Sequence, residues 1–124
     1  MTVRLTNREL DIMAVLWEHG SATVGEVQDH LADDLAYTTV LTILRGLEAK
    51  RAVRHEQDGK AYRYFAAVAP EAAGDGPLRR VLDKVYQGSR ELMIARLVDD
   101  ETVSPQELRR IRRMLAARLK EIEE

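Results

Sequence analysis

Apolar residues recur along this chain with two different periods, and each change of period marks a change of element. Over residues 7–18, Leu10, Met13, Ala14 and Trp17 fall on one stripe flanked by Ile12 and Leu16, which predicts an amphipathic helix. His19-Gly20-Ser21 ends it, with Gly20 suited to a left-handed C-terminal cap. A short second helix over about 24–32 buries Val24, Val27 and Leu31, and Asp33-Asp34-Leu35 then turns the chain. The third helix runs over about 36–50, with Val40, Ile43, Leu44 and Leu47 inward and Thr38, Thr39, Thr42, Arg45 and Ala49 outward or to the side. A short helix, a tight turn and a longer helix make the spacing of a helix-turn-helix.

From Ala52 the period drops to two. Val53, His55 and Gln57 alternate with Arg54 and Glu56, Asp58-Gly59 signals a hairpin turn, and Tyr62-Arg63-Tyr64-Phe65 returns as an aromatic strand. Residues 67–77 are small, carry Pro and Gly and show no period, which predicts a linker at 69–76 between a first domain at 1–68 and a second at 77–124. Helical spacing resumes in Leu78, Val81, Leu82, Val85 and Tyr86, breaks at Gly88-Ser89, and restarts with Leu92, Met93, Leu97 and Val98. After the polar turn at 99–103, the last helix spaces Leu108, Ile111, Leu115, Leu119 and Ile122 by three, four, four and three.

Three helix starts are written in the sequence itself. Thr6…Glu9, Thr23…Glu26 and Ser104…Glu107 each set a hydroxyl three residues before a glutamate, the pattern in which cap and N3 side chains serve each other's amides. Pro105 follows its cap at the first helical position, where its missing N–H is no loss.

The three short helices of the second domain cannot bury their stripes alone, and a two-fold partner presenting the same stripes would cover them. Leu78, Val81, Leu82, Val85, Leu92, Met93, Leu97, Leu108, Ile111, Leu115, Leu119 and Ile122 are therefore the expected dimerisation face. The fold class that follows is mostly α with a small β-wing: a winged helix-turn-helix plus a C-terminal helical dimerisation domain.

Charge sharpens this picture because it is unevenly placed. The 124-residue chain has a formal net charge of −2, yet residues 37–66 hold Arg45, Lys50, Arg51, Arg54, Lys60 and Arg63 against only Glu48, Glu56 and Asp58. Residues 1–36 are acidic. A local cationic face on a helix-and-wing unit is what binding to a phosphate backbone requires, whatever the total. Short hydroxyls and a methyl on each of Thr38, Thr39 and Thr42 suit base edges and thymine methyls, with Tyr37 beside them, and Arg45 can reach guanine or phosphate one turn on. Arg54, Lys60 and Arg63 on the hairpin suit phosphate contacts, or equally the charged protection of an edge strand. Lys50 and Arg51 fit phosphate or the negative end of the third helix's dipole.

Other classes fare badly. The chain has no Cys, so it has neither disulfides nor thiolate metal sites. His19, His30 and His55 lie in separate elements without metal or triad spacing, and no Gly-rich phosphate loop follows a strand. No enzymatic activity, cofactor or bound metal is expected. The amino terminus has no apolar signal-like core, and a cytoplasmic protein without direct membrane binding is expected.

Leu5-Thr6…Glu9…Ile12-Met13…Leu16-Trp17, Tyr37-Thr38-Thr39-Val40…Thr42-Ile43-Leu44…Leu47…Lys50, Asp58-Gly59…Tyr62…Tyr64, Gly88-Ser89 and Ser104…Glu107-Leu108…Ile111…Leu115 occur here in one order. That ordered set resembles the penicillinase-repressor family of winged-helix transcriptional regulators (the BlaI, MecI and CopY types). The resemblance implies a homodimer that represses transcription from a palindromic operator on double-stranded DNA. In penicillinase-type members it further implies release by proteolysis in the dimerisation domain, triggered through a membrane sensor protease pathway. The cleaved Asn-Phe pair of those members aligns with Arg96-Leu97, and the Cys cluster of the copper-responsive branch is absent. Two other readings stay open at this point: release by a small-molecule effector, and a winged helix serving as a protein–protein adaptor.

Overall fold

The computed structural model describes residues 3–124, which form two compact units divided between Leu78 and Arg79. The first begins with α1 (Asn7–His19), β1 (Ser21–Thr23), α2 (Val24–His30) and α3 (Tyr37–Ala49). A hairpin of β2 (Val53–Asp58) and β3 (Ala61–Ala66) follows, then α4 (Pro70–Lys84), which crosses the unit boundary. The second unit continues with α5 (Arg90–Val98) and α6 (Pro105–Glu123).

The predicted starts are present. Thr6 and Thr23 each close a full capping box with Glu9 and Glu26, and Ser104 accepts from the Glu107 amide with Pro105 in the first turn. Gly20 ends α1 at φ 83°, donating its amide to the Leu16 carbonyl at 2.8 Å, a conformation that a Cβ would strain. Gly59 takes φ 64° in the hairpin turn.

Burial rotates the first stripe. The inward face of α1 is Glu9, Ile12, Met13 and Leu16 with Val15, whereas Leu10 and Trp17 are half-buried and Ala14 is exposed. Ile12, Met13 and Leu16 lie at spacings of one and three, so the buried line is offset from the expected one. Trp17 sits at the core's edge because its indole N–H needs an acceptor, and it donates to the Val68 carbonyl at 2.9 Å. Val27 from α2, Val40, Leu44 and Leu47 from α3, and Ala52, Val53 and Tyr64 from the hairpin's base complete the core.

The sheet has one strand more than the sequence pattern signals. Ser21–Thr23 pairs antiparallel with β3 (Ser21 opposite Phe65, Thr23 opposite Arg63), giving the order β1-β3-β2. Three residues are too short for a readable period, and Gly20 disguised them as a turn. On β2 only Val53 is buried, so most of the hairpin projects beyond the core as a wing.

The expected linker at 69–76 is helical instead. Pro70 opens α4 and Glu71 lies in its first turn, so a start signal sat inside what looked like irregular composition. Val3 donates its amide to the Ala72 carbonyl at 3.1 Å, and Ala73 is buried. Pro77 lies inside the same helix, next to the boundary between units. Lacking an N–H, it cannot bond the carbonyl four residues back, which weakens the helix there.

In the second unit Gly88-Ser89 breaks the helices as expected, and Ser89 caps α5. Of the expected dimerisation residues, Leu82 is buried within the chain itself, and Met93 and Ile111 are half-buried. Leu78, Val81, Val85, Leu92, Leu97, Leu108, Leu115, Leu119 and Ile122 are exposed, joined by Ile94 and Met114, which the spacing had not singled out. Arg96 and Leu97 lie in the last turn of α5, both exposed.

Candidate nucleic-acid interface

The α3 helix is amphipathic in a way that sets its outer face opposite the core. Val40, Leu44 and Leu47 are fully buried. At 100° per residue, Thr38, Thr42, Arg45 and Ala49 fall on the far side from that line, and all four are exposed. Thr39 and Gly46 flank them, also exposed.

The leading end of α3 differs from that of α1, α2, α5 and α6. Each of those has a Thr or Ser hydroxyl capping an amide; Ala36 begins α3 without any side-chain cap, and its first turn holds no acid. Its first-turn amides and the positive end of its dipole therefore face outward without an internal acceptor, a ready seat for phosphate oxygen. Thr38 and Thr39 do not cap this helix, and Tyr37 is 51% exposed beside them. The hydroxyl of Thr42 is already used: Oγ1 donates to the Thr38 carbonyl at 2.9 Å. Thr42 thus offers its methyl and an acceptor lone pair, but no free donor proton.

The cations divide into committed and uncommitted groups. Lys50 Nζ reaches Glu9 Oε1 at 2.6 Å and donates to the Arg4 carbonyl at 3.1 Å, so it clamps the end of α3 to the start of α1. Burial of the Glu9 carboxyl opposes its ionisation, but donation from Lys50 and from the Thr6 amide outweighs it and holds its pKa below the usual glutamate range. Arg63 lies on the sheet face opposite Tyr64, bonded to Asp58 and Glu26 at 3.0 Å each and to the Ser21 hydroxyl at 3.3 Å. The Asp58 bond above all, against a smaller desolvation, raises its pKa further, so its charge is spent on tying β1, α2 and the hairpin together. Arg54 stacks over the Phe65 ring at 4.3 Å and donates to Glu56 at 2.8 Å, leaving it half available. Arg45, Arg51 and Lys60 are exposed and have no ion pair among the described residues. Arg51 takes φ 65° just beyond α3, with its own amide bonded to the Glu48 carbonyl and that of Ala52 to Leu47, the double closure normally given to glycine.

Sequence reasoning missed the groups that orient this face. Glu48 meets His55 Nδ1 at 2.5 Å, joining the last turns of α3 to β2, while the His55 ring packs on Tyr62 at 4.5 Å between centroids. Glu9 and Glu26 were visible as helix-start residues; their second role, holding Lys50 and Arg63, required the tertiary fold.

Two predictions arise here. Glu9→Gln should lower stability by about 1–2 kcal/mol at neutral pH, since a charge-assisted bond is lost. Glu9's lowered pKa means its contribution is present above the unfolded value near 4.5 and fades as pH falls through the folded value. Urea unfolding of the wild type should therefore weaken more steeply below about pH 4.5 than that of the variant. The second concerns Gly46, where a Cβ would meet only Glu9 Oε2 at 4.0 Å. Gly46→Ala should raise thermal stability by roughly 0.5–1 kcal/mol through helix propensity. If this face meets a DNA duplex, the same change should weaken that binding, because Gly46 and Ala49 keep the trailing part of the outer face low.

A family model described as the penicillinase repressor matches residues 5–117. The penicillinase repressor of Bacillus licheniformis is 23% identical over 114 residues, covering 90% of this chain and 89% of its own. The transcriptional regulator BlaI of Mycobacterium tuberculosis is 33% identical over 117 residues, covering 91% and 83%. Among solved structures, the DNA-binding domain of the repressor BlaI superposes with a TM-score of 0.50 at 27% identity, over 55% of this chain and 85% of that domain. A MarR family protein from Bacillus stearothermophilus superposes at TM-score 0.50 with 21% identity, a likeness of fold.

Proposed function

Because the chain belongs to the penicillinase repressor family, a family of DNA-binding transcriptional repressors, we propose that it is a homodimeric repressor, acting in the cytoplasm on a palindromic operator and without catalysis. The observation that carries this reading is the uncapped, acid-free leading end of α3, with Tyr37, Thr38, Thr39 and Arg45 exposed around it. In this reading α3 enters the major groove by that end, Arg45 reaches a base edge or phosphate, and Lys60 at the wing tip and Arg51 reach the backbone. Lys50 and Arg63 act indirectly, by holding α3 and the hairpin in place. Release through a membrane sensor protease would act on the exposed Arg96-Leu97 turn of α5.

The test is a band-shift and footprint on the DNA upstream of the protein's own gene. A footprint with two-fold symmetry is expected, and a protein that retards no duplex at low salt sinks the reading. Arg45→Ala should cost about 1–3 kcal/mol in operator affinity and relax preference at one position of each half-site. Lys60→Ala should weaken all sequences alike and flatten the salt dependence by about one unit of slope.

A further inference from the structure

The largest block of uncompensated positive charge belongs to the second unit and not to α3 or the wing. Met1–Leu78, which contains the reading helix, has eight Lys and Arg against twelve Asp and Glu, whereas Arg79–Glu124 has eleven against nine. The excess in the second unit is concentrated in α6. Between residues 109 and 120 it holds Arg109, Arg110, Arg112, Arg113, Arg118 and Lys120 and no acid. All six are exposed, and among the described residues only Arg118 has an acid partner, Glu121 at 3.2 Å.

These cations are arranged. At 100° per residue, Arg109, Arg113 and Lys120 fall within about 40° of one another, and the centre of that line lies roughly 140° around the helix from the stripe of Leu108, Ile111, Leu115, Leu119 and Ile122. A partner covering the apolar stripe would therefore leave the basic line in solvent. The line is about 16 Å long at 1.5 Å per residue, against an axial 3.4 Å between phosphates of one DNA strand. Five of the six cations are Arg, whose flat fork matches phosphate oxygens two at a time.

We infer that the basic face of α6 is a second DNA-binding surface, one that engages phosphates without reading sequence and is separate from the contacts of α3 and the wing. The ligand is the backbone of double-stranded DNA, matched by charge sign and by a span of about five phosphates of one strand. The inference rests on the repressor reading and extends it, since it adds phosphate contacts to those of the cationic face on α3 and the wing.

The full-length protein tests it. Affinity for a random-sequence duplex is measured by fluorescence anisotropy against salt for the wild type, for Arg109→Gln/Arg113→Gln/Lys120→Gln, and for the charge-keeping Arg109→Lys/Arg113→Lys. The Gln variant should keep its helicity and its oligomeric state. Its plot of log affinity against log salt should be shallower by at least two units, since each phosphate contact contributes about 0.9. The Lys variant should keep the slope. Preference for the protein's own upstream DNA over the random duplex should survive in all three. An unchanged slope in the Gln variant overturns the inference while leaving the repressor reading intact. Lost preference in the wild type with the slope still falling would sink the repressor reading alone. If the Gln variant instead changes only self-association without DNA, or only binding to anionic vesicles, the surface serves an acidic face of another copy or a lipid, and the inference fails.

Discussion

Leu115→Glu/Leu119→Glu is expected to yield a folded monomer whose operator affinity falls by about 100- to 10,000-fold, the range lost when two linked binding events become one. Leu115 and Leu119 are 49% and 58% exposed in the single chain, so glutamate there meets water and not a packed interior. Both positions lie on the stripe that a two-fold partner would bury, where a pair of carboxylates would face another pair and be desolvated together. Sedimentation of the variant should give one chain's mass, and its circular dichroism should keep the helical signal, because Glu is a good helix former. A variant that remains dimeric would place the partner elsewhere on the molecule.

Leu44→Ala should remove about 2–5 kcal/mol from the stability of the first unit, the ordinary cost of emptying a fully packed leucine site. Against roughly 4–12 kcal/mol for a unit of this size, that is enough to leave it partly unfolded when warm. Leu44 is completely buried, and it backs the exposed outer face of α3 directly. Leu10→Ala is the informative comparison. The apolar spacing alone makes Leu10 a core residue, yet it is only half-buried, so its truncation should cost under about 1.5 kcal/mol. Urea titration of Leu10→Ala, with Leu44→Ala on α3 as the fully buried reference, distinguishes the observed inward face of α1 from the one read off the spacing.

That contrast illustrates what was legible and what was not. Helix starts at Thr6, Thr23 and Ser104, the stop at Gly20 and the turn at Gly59 depend on neighbours within four residues, and the sequence displays such neighbours directly. The fold class and the helix-turn-helix followed from them. The facing of α1 did not, because a helix with Leu10, Ile12, Met13, Leu16 and Trp17 has apolar residues on too wide an arc to choose one line. The strand at Ser21–Thr23 exists only because β3 lies beside it, and α4 begins at Pro70 in a stretch whose Gly content masked its Pro-Glu start. At the candidate interface, residue type identified the cations, but partners up to 46 positions away decided their use. Lys50 is claimed by Glu9, and Arg63 by Glu26 and Asp58.

The bond from Val3 to Ala72 and the one from Trp17 to Val68 bear on how the chain leaves the ribosome. Synthesis proceeds at about 5–20 residues per second, and a domain completes only when its last partner has emerged. The early helix α1 cannot satisfy its indole, nor the amino-terminal segment its amide, before residues 68–72 are out. By then the stretch that becomes α6 has not emerged. The first unit can therefore close while the stripe of α6 has not yet emerged. Any pairing of neighbouring nascent copies through α6 would thereby follow the folding of the first unit.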